Sequence, residues 1–158
     1  MKAITVRRME AADIPACVGI INPIIAAGGS TAYEDPYSAE DLEARYLHEA
    51  DISNVAISDG RVVGFQAVFE VEPGVFSVGS FTDQLSPVKG AGAALMAQLK
   101  SDCRAAGGTS IIAKITSDNT GGLSYYSKMG FEDETVLPAE FTRKDGTVVD
   151  RVIKRFVL

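Results

Sequence analysis

"SPVKGAGAALMAQLK", residues Ser86–Lys100, decides how the rest of the chain must be read. It starts with a polar, turn-forming stretch. Gly90, Ala91, Gly92, Ala93 and Ala94 then leave the backbone almost bare. Leu95, Met96, Leu99 and Cys103 follow at helical spacing, so the stretch runs into an amphipathic helix that Gly107-Gly108 ends. "GVFSVGSF" precedes it and "TSIIAKIT" follows it, both rich in residues that favour strands. A strand, a helix and a strand in that order predict two parallel strands joined by a right-handed crossover.

Outward from that unit the pattern changes. "AITVRRM" alternates and reads as a first strand. Ala12-Asp13 can cap a helix with Pro15 in its first turn and Cys17, Ile20, Ile21, Ile24 and Ile25 on one face. Pro23 is expected to kink or end that helix, and Gly28-Gly29 to stop it. A polar and aromatic loop, "STAYEDPYS", leads to a second helix from Ser38, with Leu42 and Tyr46 on its buried side. "NVAISDGRVVGFQAVFEV" is two apolar runs around Asp59-Gly60, the signature of a type I′ hairpin. Gly79 inside the next strand predicts a bulge or a close approach. "DNTGGLSYYSKM" reads as a short helix capped by Asp118 or Asn119 and ended by Gly130. A final hairpin turns at Asp145-Gly146. Strand, helix, helix, three strands, helix, strand, helix, two strands is neither doubly wound nor segregated. It implies an α/β chain of α+β-like character, a mixed, mostly antiparallel twisted sheet with helices on both faces.

The 158 residues fit one domain, 1–158, with enough length for its own core. No apolar run reaches a membrane span, and charges occupy the place where an export signal would need an apolar core. Cys17 and Cys103 are isolated and His48 is the lone histidine, so neither a disulfide framework nor a metal site is expected, and a cytoplasmic setting fits. The net charge of −6 and the absence of a basic cluster disfavour a nucleic-acid partner. An isologous homodimer is common among soluble enzymes.

The bare backbone fits no nucleotide fingerprint. There is no GxxxxGK[ST], and after Gly90-x-Gly92 the third glycine position holds Leu95. What survives is a strand, a small-residue turn and a helix N-terminus, whose unpaired N–H groups attract anions, with Lys89 at its mouth. Glycines that let a helix pack closely on a sheet are the competing account.

The second stretch that bears on this is "NTGGLSYYSKMGF", Asn119–Phe131. Together with the strand order and with Pro87-Val88-Lys89-Gly90-Ala91-Gly92, it resembles the Gcn5-related N-acetyltransferase (GNAT) family. Members carry a (Q/R)xxGx(G/A) loop, a strand, then a helix of the form N…A…Y…(L/M)GF. Pro87 replaces the usual Gln or Arg. "IINPIIAAGGSTAYEDPYSAEDLEARY" further resembles the phosphinothricin and methionine sulfoximine acetyltransferases, through Asn22, Thr31, Tyr33, Glu34, Tyr37 and Ser38.

The resemblance implies the GNAT fold and transfer of an acetyl group from acetyl-coenzyme A to a primary amine of a small molecule, without a metal. Direct attack would pass through a tetrahedral intermediate. It places the coenzyme pyrophosphate on Val88, Lys89, Gly90, Ala91, Gly92 and Ala93, and the pantetheine arm along Ser80, Phe81 and Thr82. Tyr126 would protonate the departing thiolate, with Tyr125 as its rival. Asn119 is a helix cap, a coenzyme ligand, or both. Glu34 is the candidate base or acceptor-binding carboxylate. A non-catalytic acyl-coenzyme A-binding module and a protein or peptide N-acetyltransferase are the two other readings.

Overall fold

The structure, a computed structural model, describes residues 3–158. Its elements follow the expected order: β1 (Thr5–Arg8), α1 (Ile14–Ala27), α2 (Ala39–Glu43), β2 (Ile52–Ser58), β3 (Arg61–Glu72), β4 (Val75–Thr82), α3 (Ala91–Ala105), β5 (Ser110–Thr116), α4 (Thr120–Lys128), β6 (Glu132–Thr142) and β7 (Val148–Val157). The strands form one sheet in the order β1-β2-β3-β4-β5-β7-β6. Every neighbouring pair is antiparallel except β4 and β5. Asp59 and Gly60, with φ of 50° and 71°, turn the β2–β3 hairpin as a type I′ turn requires.

The parallel pair is short. Val75, Phe76 and Ser77 pair with Ser110, Ile111 and Ile112, and the pairing stops there. Beyond it β4 stays with β3, down to Thr82 opposite Gly64. β5 stays instead with β7, down to Thr116 opposite Arg151. The sheet therefore splays into a V, and from Val78 onward β4 turns a row of backbone groups toward the opening. Edges of this kind are ready to accept another extended chain.

Side-chain alternation sends β3 into two cores. Phe65 and Ala67 join Cys17, Ile21, Leu42 and Tyr46 under α1 and α2. Val68 goes to the other face, with Met96, Leu99, Ile111 and Ala113 under α3 and α4. Leu99 and Ile111 are fully buried. Side chains of this size contribute about 1.5–3 kcal/mol each when buried, which is what holds α3 onto the crossover.

Three local expectations need correction. α1 does not end at Pro23 but runs through it to Ala27. Ile25, buried one turn on, continues the apolar face, and that burial offsets the hydrogen bond proline removes. Asp13 precedes α1, but its carboxylate caps nothing there. It accepts from Arg7 at 2.8 and 2.9 Å and from the Glu10 amide at 2.8 Å, closing a 3-10 turn. Gly79 carries no bulge. It sits in register opposite Ala67, and the register shift lies between Glu70 and Glu72. A Cβ on Gly79 would stand 3.6 Å from the Tyr46 hydroxyl, an ordinary van der Waals contact, so no close approach demands the glycine either.

The second helix starts as expected, with the Ser38 hydroxyl accepting from the Asp41 amide at 3.1 Å. After Glu43 it widens into a π-helical turn, Ala44–Glu49. Such turns re-aim side chains, and this one carries Tyr46 into the core and Arg45 to its edge.

Candidate functional site

A cleft of about 1060 Å³ fills the opening of the V. Ser80, Phe81 and Thr82 of β4 form one wall. Val88 and Gly90 to Ala93 form the glycine-loop end. Asn119, at the N-cap of α4, and Tyr125 and Tyr126 within that helix close it from below. Of the residues expected at the site from sequence, Lys89 is exposed outside this lining, and Glu34 lies elsewhere.

The glycine loop works in two ways at once. Gly90 holds φ of +91° at the N-cap of α3, a conformation that costs a residue with a Cβ. The Ala91 amide bonds Val88 O at 3.2 Å, and the Ala94 amide starts the helical series on Gly90 O at 2.9 Å. The amides of Gly92 and Ala93 are left over, as first-turn amides are. Gly92 also serves packing. A Cβ there would stand 3.0 Å from the Tyr125 ring. The Tyr125 hydroxyl donates to Gly92 O at 2.8 Å. Close packing and an open amide thus meet at Gly92.

That bond separates the two tyrosines. Burial pushes the Tyr125 phenol up to about 12, and its proton is already given to Gly92 O. Tyr126 is 9% exposed, with Tyr125 and Phe131 rings at 5.0 and 5.2 Å. Burial pushes its phenol well upward too, so it keeps its proton at neutral pH. Among the described residues its hydroxyl has no hydrogen-bond partner. Asn119 is a helix cap: its Oδ1 accepts from the Gly122 amide at 2.9 Å. Its Nδ2 reaches the other way, to Ser30 O at 2.7 Å.

Ser30 belongs to the loop that roofs the cleft, and the roof is fastened at several points. Asn22 bonds both backbone groups of Tyr37, at 3.0 and 2.8 Å. Arg143, from the β6–β7 hairpin, donates to Thr31 O at 3.0 Å. The same guanidinium forks onto Asp118 at 2.9 and 3.0 Å. The fork holds the Asp118 carboxyl below the usual carboxylate range. Glu34 accepts from the Lys144 amide with both oxygens at 3.1 Å, and Asp35 pairs with the Lys144 ammonium. Glu34 therefore faces a separate cavity of about 580 Å³, beside Asp118 and Arg143, and does not line the cleft. Beneath the roof the Tyr33 and Tyr46 hydroxyls meet at 2.7 Å.

Sequence reasoning missed Arg143, Arg45 and Lys114. Arg143 left no local signal, since its partners lie 25 and 112 residues away. Lys114 left one, being the single charge inside the apolar strand β5. His48 lies at the surface against Glu43, 3.1 Å away. Burial pushes the Cys103 thiol up to about 12, which removes it as a nucleophile. Among the described residues no cluster of three or more His, Cys, Asp or Glu could hold a metal ion, and no helix is long and apolar enough to cross a membrane.

A model of the acetyltransferase (GNAT) family matches residues 25–131, more than half of the chain. The chain belongs to the acetyltransferase (GNAT) family. The match runs from the end of α1 through the roof, β4, the glycine loop and α4, so it contains all of the cleft's lining except Pro23 and Ile24. The GNAT fold is also seen in solved structures. A protein provisionally named a phosphinothricin N-acetyltransferase is 26% identical, covers 99% of each chain and superposes with a TM-score of 0.86. A phosphinothricin acetyltransferase from Sinorhizobium meliloti, in complex with acetyl-coenzyme A, is 21% identical over 98% of this chain and 88% of that one, with a TM-score of 0.86. A ribosomal-protein-alanine N-acetyltransferase from Brucella melitensis is 23% identical over 98% and 99%, with a TM-score of 0.85. No curated protein matches the sequence.

Proposed function

We propose that this GNAT acetyltransferase transfers an acetyl group from acetyl-coenzyme A to a primary amine of a small molecule. One observation carries the reading. The unpaired edge of β4 and the unused amides at the start of α3 open into the same cleft, which a pinned loop roofs on its other side.

The residues present fit the coenzyme. The amides of Gly92 and Ala93, at the positive end of α3, suit a pyrophosphate. Ser80 to Thr82 offer strand-type hydrogen bonds to an extended arm carrying amides. The coenzyme supplies an acetyl group activated as a thioester. Tyr126 holds its proton at neutral pH and offers it where a departing thiolate gathers charge. Tyr125 fixes the loop instead, through Gly92. Glu34 acts at a distance by docking the roof on Lys144. Among the described residues no carboxylate or imidazole lines the cleft, so the amine loses its proton to water. The fastened roof over Tyr33 favours a small acceptor over a protein chain.

Thiol release from acetyl-coenzyme A in the presence of amino acids, polyamines and peptides tests the reading. Coenzyme binding without thiol release for every amine would replace it with a binding module.

A further inference from the structure

We infer that Arg61 is a positioning residue for the coenzyme: from the start of β3 it clamps the loop that runs into the glycine turn, and it cancels the charge of Asp83 in that loop. The inference rests on the coenzyme seat proposed above and names a side chain outside the cleft on which that seat depends.

The first observation is how the loop is held. Residues 83–90 join β4 to α3. The chain leaves β4 at Thr82, opposite Gly64 of β3, and the Asp83 amide continues the ladder to Val63 O at 2.9 Å. At the far end Val88 and Ala91 pack on Val63. Both ends of the loop therefore stand on β3, and Arg61, two residues before Val63, bridges the span between them. Its guanidinium donates to Asp83 Oδ2 at 2.5 Å and to Ser86 O at 3.0 Å. Asp83 Oδ1 in turn accepts from the Leu85 and Ser86 amides at 2.9 and 3.1 Å. Among the described residues the other hydrogen bonds of Gln84, Leu85 and Ser86 run to Thr82 and Asp83, so Arg61 is what ties this stretch to a second strand.

The second is the side the loop presents. Thr82, Gln84, Leu85 and Val88 line the cleft, whereas Asp83, Ser86 and Arg61 do not. The clamp thus holds Asp83 and Ser86 turned away and leaves Gln84 and Leu85 facing inward. Burial cannot do this in its place, because Leu85 is 76% exposed. A loop kept in its binding shape costs nothing to order when the ligand arrives. One that holds that shape in a tenth of the molecules binds about tenfold more weakly.

The third is charge. Asp83 and Lys89 are the ionisable residues of the loop, and Lys89 stands outside the cleft lining. Burial works against the Asp83 charge, yet the Ser86 amide and the Arg61 guanidinium outweigh it and hold the carboxyl below the usual range. Its side chain is 14% exposed, so water screens it weakly. Left alone, that carboxylate would repel a pyrophosphate entering beside Thr82 and Gln84. Arg61 cancels it from the side away from the cleft.

Calorimetric titration of the protein with coenzyme A, 3′-dephospho-coenzyme A and pantetheine tests this. The wild type should bind coenzyme A about tenfold or more tightly than pantetheine, which lacks the pyrophosphate. Arg61→Gln should weaken coenzyme A and 3′-dephospho-coenzyme A alike, by about tenfold, and leave pantetheine unchanged. Arg61→Lys keeps the charge without the fork and should recover part of the loss. Asp83→Asn in the Arg61→Gln background should also recover part, because Asn still accepts from the Leu85 and Ser86 amides but carries no charge. Arg61 is 43% exposed, so these variants keep the fold, and thermal midpoints check it. A merely structural defect would lower the binding stoichiometry and not the affinity of the folded remainder. Affinities within twofold of wild type overturn the inference. So does a loss confined to coenzyme A, which would put Arg61 on the 3′-phosphate itself, and so does an equal loss for pantetheine. A double variant weaker than Arg61→Gln overturns it too, since Asp83 would then be helping the anion. A wild type indifferent between coenzyme A and pantetheine removes the coenzyme seat, and the inference with it. Binding is read without turnover, so a chain that releases no thiol with any amine loses the transferase reading and keeps this one.

Discussion

Arg143 is the side chain whose removal tests the cleft most directly. It is nearly buried, at 9% side-chain exposure, and joins three segments: the β6–β7 hairpin, Asp118 before α4, and the roof at Thr31. Arg143→Ala deletes a fork at 2.9 and 3.0 Å and a bond at 3.0 Å to Thr31 O. Asp118 is 34% exposed, so water replaces much of the lost fork, and that part costs about 1 kcal/mol. The bond to the Thr31 carbonyl comes from a charged donor and contributes about 1.5 kcal/mol. The sum, about 2–3 kcal/mol, lowers the melting temperature of a chain this size by about 5–10 °C. If the bond to Thr31 holds the roof, KM for the acceptor rises at least several-fold while coenzyme affinity stays near wild type. Thermal unfolding and steady-state thiol release, the latter well below the new midpoint, measure both. Arg143→Lys keeps the charge but not the fork, so it should recover stability more than KM. A lowered midpoint with an unchanged acceptor KM would show that Arg143 only staples the hairpin, and the roof argument would fail.

Three further outcomes follow from the same geometry. Tyr126→Phe should lower thiol release by about 10- to 100-fold, the worth of one hydrogen bond to a developing charge, with coenzyme affinity unchanged by calorimetry; an unchanged rate removes Tyr126 from the chemistry. Gly92→Ala places a Cβ 3.0 Å from the Tyr125 ring, so the ring must shift and strain its bond to Gly92 O. A helix-propensity gain of at most about 1 kcal/mol offsets the strain, so stability should stay within about 1 kcal/mol while coenzyme affinity drops several-fold, and full affinity would show that the loop tolerates a side chain. Asp13 and Asp118 both lie below the ordinary carboxylate range, each chiefly through an arginine hydrogen bond, from Arg7 and Arg143. A lowered folded pKa contributes stability above the unfolded value near 4 that is lost as pH falls through the folded one, so urea midpoints should hold steady above about pH 5 and fall steeply below pH 4, less steeply in Asp13→Asn.

The fold was legible because its evidence is local. Leu95, Met96, Leu99 and Cys103 announce α3 by spacing, and all four are buried where the helix meets the sheet. Asp59-Gly60 announces the hairpin by turn chemistry. Pro23 does not end α1, because the cost of a missing amide is local, whereas the burial of Ile25 that outweighs it depends on the sheet below. Gly79 misled for a related reason: a strand glycine suggests a bulge or a close approach, and its partners Ala67 and Tyr46, which show neither, lie far off in the chain. At the site, Ser80 to Thr82, the glycine loop, Asn119 and Tyr126 were legible as motif positions and come together in one cleft. Glu34 was legible as an acid in the right loop, but nothing local shows which way a loop side chain turns, and this one turns to Lys144. Arg45 and Arg143 needed the π-helical turn and the hairpin fold-back before their positions had any meaning.

The short stretch before and within α4 ties the cleft together. Asp118 orients Arg143 onto Thr31, Asn119 holds Ser30, and Tyr125 holds Gly92. The first two bonds fasten the roof and the third fastens the glycine loop, all from within eight consecutive residues. Each bond on its own is worth only about 1 kcal/mol, too little to define a site. Borne by one helix start that packs on β5 through Tyr126, they fix the two ends of the cleft relative to each other. Transfer between two bound molecules depends on that relative position more than on either affinity, since small misplacements of the reacting groups cost large factors in rate. This is why Asn119–Phe131, and not the glycines of Ser86–Lys100, carried the discriminating part of the sequence. The glycines leave amides open at the start of α3, and the α4 segment sets how far those amides lie from the roof.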